Sequence, residues 1–429
     1  MNGFSRFLAL FKAPDLRKRV LIIIGLLAVY RVAAHIPVPG IDPTALRQFF
    51  SGNQLFGLLD IFSGGGLSTV SIVMLGVSPY ITGSIVMQLL TMIFPRLEEL
   101  QKEEGEAGRR KIQMYTRLMT VPLAAVQGFG FLTLLARGVS GSAVPLQFTP
   151  LQLALTILTV TAGTVFLMWL GELISEQGLG NGASLIIFLG IVAQSPRSLQ
   201  QALVLWDPTK LPTYLLFLGV ALVVTAGVVF ITEAQRNIPV TYAKRVRGGR
   251  LLGGVSTHLP LRINQAGVIP IIFALSLLLF PGVIAQFFTA SKQEAVARVA
   301  QSVVNVFNTN WFYGLFYFIL VVAFTYFYTA IIFDPRKISE HLQKQGGFIP
   351  GMRPGPMTAQ YLKRIVNRIT LAGALFLGVI AVLPLALQGF TQSAVLTIGG
   401  TGLLIVVSVI LETMKQVDAQ LTMREYETA

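Results

Sequence analysis

Ten apolar runs, most of them about 20 residues long, recur along this chain and constrain its fold more than any other feature. They cover residues 20–37, 71–94, 118–136, 151–171, 179–193, 211–232, 266–288, 311–333, 369–387 and 394–411. A helix of that length crosses the hydrocarbon core of a bilayer, which is roughly 30 Å thick. Only 12% of the 429 residues are charged, whereas soluble domains have about 25%. The sequence therefore predicts an all-α polytopic membrane protein rather than a large soluble helical protein.

If successive runs cross the membrane in alternating directions, lysine and arginine are unevenly divided between its two sides. Of the 33 basic residues, 26 lie in the N-terminal segment, the C-terminal tail and the loops after even-numbered runs. Six lie in the remaining loops, and Arg31 lies within the first run. Basic loops stay in the cytoplasm, so both termini are predicted to be cytoplasmic. The fifth run is short and opens with glycines, but its removal would destroy the alternation, so we predict ten spans.

These runs divide the chain into two halves of five predicted helices. The predicted segments are a cytoplasmic N-terminus (1–19), an N-terminal half (20–193), an external connecting loop (194–210), a C-terminal half (211–411) and a cytoplasmic tail (412–429). The C-terminal half contains two long cytoplasmic loops, 233–265 and 334–368.

A short repeat occurs in the second and seventh runs. GVSPYI at residues 76–81 and GVIPII at residues 267–272 both read G-V-x-P-x-I. In two sets of five helices these runs occupy corresponding positions with opposite orientation. Inverted repeats of this kind place a pathway at the interface between halves. The alternative is two unrelated helices that are each kinked by a proline.

Ionisable groups are nearly absent from the middle of the runs, which limits the possible functions. All 19 acidic residues lie in loops or at run ends, whereas an ion-coupled carrier usually needs an acid at membrane depth. The chain has no cysteine, only three widely separated histidines and no Walker-type nucleotide loop. We therefore expect no catalytic residue, metal site or cofactor, and no enzymatic activity.

A passive pathway closed by apolar side chains remains, because hydrophobic constrictions exclude water and ions. Isoleucine is bulky and stiff, so Ile81, Ile85 and Ile272 in the repeated segments are candidates to line it. The same residues would also suit ordinary packing against lipid or other helices.

Basic residues cluster in the two long cytoplasmic loops. The first loop contains Lys244, Arg245, Arg247 and Arg250, and the second contains Arg353 in the turn FIPGMRPG. Such residues can face anionic lipid headgroups. Lipid contact does not require protruding loops of this length, whereas docking of an acidic partner or of ribosomal RNA does. We therefore predict docking surfaces in both loops.

Several long motifs resemble the SecY family, the channel subunits of the bacterial protein translocon. They are SPYITGSIVMQLL, GEAGRRKIQMYTR, FLMWLGELISEQGLGNGASLIIF, STHLPLRINQAGVIPIIFA, FIPGMRPG and GGTGLLIVV. The resemblance covers nearly the whole chain. It implies a clamshell of two inverted halves around an hourglass pore in the bacterial cytoplasmic membrane. Unfolded secretory polypeptides would cross through this pore, and transmembrane segments would leave it sideways into lipid.

The resemblance also implies positions for the gating elements. A ring of apolar side chains falls on Ile81, Ile85, Ala183, Ile187, Ile272 and Ile405. At Ala183 a larger aliphatic residue is usual in the family. A plug corresponds to about residues 58–70, and the glycines Gly64, Gly65 and Gly66 are interpreted as its hinge. A lateral gate between spans 2 and 3 and spans 7 and 8 would contain Gln88 and Gln127, which either tune the gate or form ordinary interhelical contacts.

Partners follow from the same resemblance. The cytoplasmic loops would dock the SecA motor ATPase or the ribosome, with Arg353 as the candidate for motor coupling. SecE would brace the halves, and SecG would be a peripheral subunit. Signal sequences and nascent polypeptides would be the cargo, and anionic lipids would surround the basic loops. An inverted-repeat transporter of small neutral solutes and a non-conducting assembly scaffold are the alternative functions.

Overall fold

The structure, a computed structural model, describes residues 14–38, 66–67, 70–102, 104–137, 149–204, 211–242, 245–247, 250–252, 256–289, 293–391 and 394–428. Most of these residues are helical. The helices are α1 (Pro14–Ala33), α2 (Ser78–Ile93), α3 (Pro95–Lys102), α4 (Gly105–Arg137), α5 (Pro150–Glu176), α6 (Gly182–Val204), α7 (Leu211–Glu233), α8 (Ile269–Phe288), α9 (Glu294–Asn308), α10 (Asn310–Ile332), α11 (Pro335–Lys344), α12 (Pro356–Thr391) and α13 (Ala394–Thr428).

Several helices are suited to a membrane. Within the described residues, four stretches are long and apolar enough to cross one: Pro150–Glu176, Tyr214–Glu233, Trp311–Lys344 and Pro356–Leu383. Helices α2 and α3 would add a fifth span if they were counted together, although they are bent by 109° at their junction. The chain is therefore a multi-spanning helical membrane protein, and the number of ten spans stays a prediction.

The fold is not wholly helical, which corrects the all-α prediction. The first of the two long loops forms β1 (Gln235–Tyr242), a small hairpin of β2 (Arg245–Arg247) and β3 (Arg250–Leu252), and β4 (Ser256–Arg262). A fifth strand, β5 (Gly347–Phe348), comes from the second loop. Burial alternates along β1, where Ile238 and Val240 point inward. That alternation of two is typical of a half-buried strand.

Strand pairing joins the two long loops into one unit. The order β4–β1–β5 is antiparallel throughout, with Thr241 opposite Ser256 on one side and opposite Phe348 on the other. The sheet shares an apolar core with α11 and α12, formed by residues that include Ile238, Leu261 and Leu362. We call strands β1, β4 and β5 with α11 the sheet platform.

The repeated G-V-x-P-x-I motif has the same backbone conformation in both copies. Gly76 and Gly267 have φ angles of 58° and 64°, in the left-handed region that glycine adopts most readily. Helices α2 and α8 each begin two residues after that glycine. The equivalence of the two copies therefore extends from the sequence to the dihedral angles.

The prolines of the motif start helices and do not kink them. Pro79 and Pro270 each occupy the second position of their helix, where a missing N–H leaves no hydrogen bond broken. The interpretation as two proline-kinked helices is therefore wrong. The second apolar run is also not one helix, because Ser71 forms a β-bridge with Pro37 and residues 72–77 form turns ahead of α2.

The main apolar core connects the two parts of the chain. Buried side chains from α1, α2, α5 and α6 pack with side chains from α8, α10, α12 and α13 in one continuous cluster. Helix α8 contacts α2 and α4, and α13 contacts α6. The N-terminal and C-terminal parts therefore meet at two seams, one between α8 and the pair α2 and α4, the other between α13 and α6. These seams position the site.

Candidate pore constriction and docking surface

Five of the six predicted ring residues are buried together. Ile81 and Ile85 of α2, Ile187 of α6, Ile272 of α8 and Ile405 of α13 all belong to the main core. Their exposed fractions lie between 0% for Ile405 and 7% for Ile81. Ala183 at the start of α6 is half-buried. The structure therefore brings side chains from four separated helices to one apolar region.

A cavity of about 390 Å³ opens onto this apolar region. Ile81, Ala183, Ile187 and Ile272 lie on its wall, whereas Ile85 and Ile405 do not. The rest of the wall is largely polar and includes Gln88, Gln113, Arg117, Glu172, Asn181 and Ser184. We call this cavity the funnel. It is a wettable space that ends against bulky aliphatic side chains.

An ion pair on the funnel wall was not predicted from the sequence. Arg117 Nε donates a 2.7 Å hydrogen bond to Glu172 Oε1, and Gln113 Nε2 donates to the same oxygen at 3.2 Å. The Glu172 side chain is only 11% exposed. Gln113 and Arg117 are four residues apart and so share one face of α4. In the sequence, this spacing indicates that Gln113 and Arg117 lie together, but it does not identify Glu172 of α5 as their shared partner.

A close approach of two helices fixes the side of the funnel that carries Ala183 and Ile187. A Cβ on Gly182 would overlap the carbonyl oxygen of Gly171, so α6 begins in direct backbone contact with α5. The Gly182 amide donates a 2.8 Å hydrogen bond to Ser175 Oγ. Glycine at this position therefore allows the start of α6, which carries Ala183 and Ile187, to lie directly against α5.

The two predicted gate glutamines do not meet in one place. Gln88 lies on the funnel wall, where its Nε2 donates to Ser84 Oγ at 3.3 Å and its buried Oε1 has no hydrogen-bond partner. Gln127 is half-buried on α4 and does not line the funnel. The facing helix α8 contributes Phe273, whose ring packs edge-on against Phe324 and Tyr328 of α10, each at 6.0 Å.

Only the C-terminal end of the predicted plug lies in the described part of the chain. Gly64, Gly65 and residues 58–63 lie outside it, while Gly66, Leu67 and Val70 lie within it. The Gly66 and Val70 carbonyl oxygens accept 2.8 Å hydrogen bonds from the amides of Ser71 and Val38. Leu67 and Val70 pack in a separate apolar cluster with α4 and α5. The segment that follows the glycines is thus anchored to neighbouring helices.

The predicted docking residues lie in the β2–β3 hairpin and in the turn that follows β5. Arg245 and Arg247 are in β2, and Arg250 is in β3, whereas Lys244 lies outside the described residues. Arg353 is exposed in the turn between β5 and α12, and its carbonyl oxygen accepts a 2.9 Å hydrogen bond from Thr358 Oγ1. This turn therefore presents Arg353 on a fixed backbone.

A known protein family and curated relatives match this chain over most of its length. The SecY family profile matches residues 71–414. The protein translocase subunit SecY of Streptomyces galbus is 46% identical over 444 residues, which cover 99% of each chain. This chain belongs to the SecY family. It is a protein-conducting channel subunit of a membrane translocon, and the prediction that it is not an enzyme is confirmed because the SecY family is non-enzymatic.

Solved SecY-type channels have the same fold. One, studied for a SecY plug domain that stabilises the closed channel and maintains a membrane seal, aligns with a TM-score of 0.60 at 19% identity and covers 93% of this SecY chain and 90% of its own. Canine Sec61 in a ribosome–channel complex aligns with a TM-score of 0.59 at 18% identity, covering 92% and 90%.

Proposed function

We propose that this SecY chain passes unfolded secretory polypeptides across the bacterial cytoplasmic membrane and releases transmembrane segments sideways into it. In this proposal ten spans form two inverted halves, residues 20–193 and 211–411, joined by the external segment 194–210, which was predicted to be a loop but whose residues 194–204 continue α6. Residues 1–19 and the tail 412–429 lie in the cytoplasm, where the basic loops also lie. The repeated left-handed glycines ahead of α2 and α8 support the internal repeat.

The funnel and the aliphatic side chains at its end carry this proposal. A polypeptide in the funnel would contact polar and charged side chains. Such a wall accommodates an extended, hydrated chain whatever its sequence. Ile81, Ala183, Ile187 and Ile272 then close the path, with Ile85 and Ile405 in the same core. An apolar constriction stops water and ions but yields to a chain that is pushed through it.

The plug and the lateral gate complete the resting seal in this proposal. The plug, residues 58–70, would move on the glycines Gly64 to Gly66 while its anchored end at Val70 stays in place. The gate would open where α8 faces α2 and α4, with Gln88 beside the opening. The unpartnered Gln88 Oε1 would then find water or a backbone N–H of a passing segment.

Docking of a driving partner is assigned to the sheet platform and its hairpin tip. SecA or the ribosome would bind the basic residues Lys244, Arg245, Arg247, Arg250 and Arg353. SecE would brace the two halves and SecG would lie at the periphery. Anionic lipids would contact some of the other basic residues of these loops.

Reconstitution tests this function directly. Proteoliposomes that contain the full chain with SecE are expected to import a secretory precursor only when SecA and ATP are added. Uptake of a small neutral solute without any precursor import would instead favour an inverted-repeat transporter. Neither import nor solute uptake by correctly folded complex would favour an assembly scaffold.

A further inference from the structure

A second cavity lies between α10, α11 and α12. Helices α10 and α12 pack tightly at one end, where a Cβ on Gly378 would lie 2.7 Å from the Phe318 ring and a Cβ on Gly314 would lie 3.3 Å from Val382. At the other end α11 closes a space of about 890 Å³ between them, which we call the α10–α12 cavity. This volume lies within the usual range of small-molecule sites, about 300–1,000 Å³.

The cavity lies where two apolar spans become charged. Its lining includes Tyr326 and Thr370, which lie within the predicted apolar runs 311–333 and 369–387. Its rim includes Arg336 and Lys363, beyond the predicted apolar runs. In a membrane protein this transition marks the headgroup level of the bilayer.

An apolar face of α10 leads from the bilayer to this cavity. Leu315 and Ile319 are 43% and 51% exposed, and Tyr326 and Ala330 continue the same face as part of the cavity wall. The spacings of four, seven and four residues keep these side chains on one side of the helix. A lipid acyl chain lying along Leu315 and Ile319 would therefore place its headgroup in the cavity.

The internal polar groups of the walls already have partners. The Tyr326 hydroxyl donates to the Asn367 carbonyl oxygen at 3.3 Å, and Ser339 Oγ donates to the Gly355 carbonyl oxygen at 2.7 Å. Asp334 Oδ1 accepts the amides of Arg336 and Lys337 as the cap of α11. These bonds hold the walls in place without using the charges of Arg336, Lys363 and Glu340.

The ionic side chains of the cavity balance each other. Two cations, Arg336 and Lys363, share the lining with two acids, Asp334 and Glu340. Among the described residues no ion pair joins any of these four. A headgroup that carried only negative charge would satisfy the cations and leave Glu340 facing an anion. A headgroup with both a phosphate and an ammonium would satisfy both signs.

We propose that the α10–α12 cavity binds a zwitterionic phospholipid with a primary-ammonium headgroup of the ethanolamine type. The phosphate lies against Lys363 and Arg336, the ammonium lies against Glu340, and one acyl chain follows Leu315 and Ile319. A primary ammonium suits Glu340 because it donates hydrogen bonds, which a quaternary ammonium does not. This site depends on the placement of the chain in a bilayer and not on how the pore is gated.

Lipid selectivity of the full chain tests the proposal. The chain is reconstituted in phosphatidylcholine nanodiscs with a trace of acyl-spin-labelled phosphatidylethanolamine or phosphatidylglycerol. Electron paramagnetic resonance gives the relative association of each label with the protein. Phosphatidylethanolamine is expected to be retained more strongly. Glu340→Gln should lower its association about tenfold, to the level of phosphatidylglycerol, because a charge-assisted hydrogen bond is lost.

Matched variants separate this site from a general attraction to the protein. Lys363→Gln should also weaken the association of phosphatidylethanolamine, whereas Glu340→Asp should retain most of the preference for it. Lys337→Gln, outside the cavity lining, should leave the association unchanged. Unchanged thermal unfolding of each variant excludes a folding defect. Preferred retention of phosphatidylglycerol, equal retention of both lipids, or an unaffected preference in Glu340→Gln would each overturn the proposal.

Discussion

The side-chain amide of Gln420, near the end of α13, donates a 2.7 Å hydrogen bond to the carbonyl oxygen of Gly178, in the turn between α5 and α6. Arg19 of α1 completes the junction, because its guanidinium donates to Gln420 Oε1 and to the Gln177 carbonyl oxygen, both at 3.3 Å. Helix α13 extends well beyond its apolar run, and its extension ties the C-terminal part of the chain to the N-terminal part.

Removal of this tie should loosen the seam between the two parts. We expect Gln420→Ala to lower the free energy of unfolding by about 1–3 kcal/mol, because each of the two hydrogen bonds that it removes contributes about 0.5–1.5 kcal/mol net. Amide hydrogen exchange in the turn around Gly178 should accelerate. Gln416→Ala is the control one turn earlier on the same helix, and it should leave both measurements unchanged. Equal effects of the two substitutions would rule out a specific tie.

The two copies of the repeat should respond alike to a methyl group. We expect Gly76→Ala and Gly267→Ala each to destabilise the protein by about 1–2 kcal/mol, because an L-residue with a side chain is strained in the left-handed region. Gly25→Ala is the control, since Gly25 lies inside α1 with open space around it. That change should stabilise the chain by up to about 1 kcal/mol. Thermal unfolding in detergent measures all three, and a neutral Gly267→Ala would contradict the equivalence.

The Arg117–Glu172 pair should show coupling in a double-mutant cycle. Glu172 is nearly buried and Arg117 is partly exposed, so we expect a coupling free energy of about 1 kcal/mol between Arg117→Gln and Glu172→Gln. Arg110, on the same helix but outside the funnel lining, replaces Arg117 in the control cycle and should give no coupling. A zero value in both cycles would mean that the ion pair contributes nothing to stability.

The constriction should tighten when its smallest member is enlarged. Ala183 is half-buried on the funnel wall beside Ile187, so an isoleucine there would project into the path without displacing a packed core residue. We expect Ala183→Ile to reduce the resting ion conductance of reconstituted channels in planar bilayers. Ala323→Ile, on the exposed face of α10, should have no effect. An unchanged conductance in Ala183→Ile would remove Ala183 from the ring.

Charge reversal at Arg353 should uncouple the motor. The turn that carries Arg353 has a fixed backbone, so we expect Arg353→Glu to impair SecA-driven precursor import while the complex stays assembled. Lys337→Glu is the control, because Lys337 is also basic, exposed and in the second loop. Normal import by the Arg353→Glu variant would remove the docking assignment of this turn.

Local sequence patterns predicted the features that are determined within a single helix. The apolar runs located α5, α7, α10 and α12 because hydropathy is read within one helix. Helix ends were not predicted in this way. The apolar run 394–411 ends where the sequence becomes polar, whereas α13 continues to Thr428. The G-V-x-P-x-I repeat pointed to Ile81 and Ile272 for the same local reason.

Features that depend on packing between distant segments were not predictable in this way. The strand β5 has two residues and exists only because β1, about one hundred residues earlier, offers it an edge. The partner of Arg117 on α5 is likewise fixed by how two helices meet. The ring positions Ala183, Ile187 and Ile405 came from the family resemblance rather than from any pattern in the chain.

The sheet platform also has a mechanical consequence. Helix α7 ends directly before β1, β4 leads into α8 within a few residues, and β5 leads into α12. A rotation of the platform would therefore be transmitted to the adjoining ends of three helices at once. Since α8 faces α2 and α4 across the seam, a partner bound to the platform would act on the proposed gate without contacting the proposed pore.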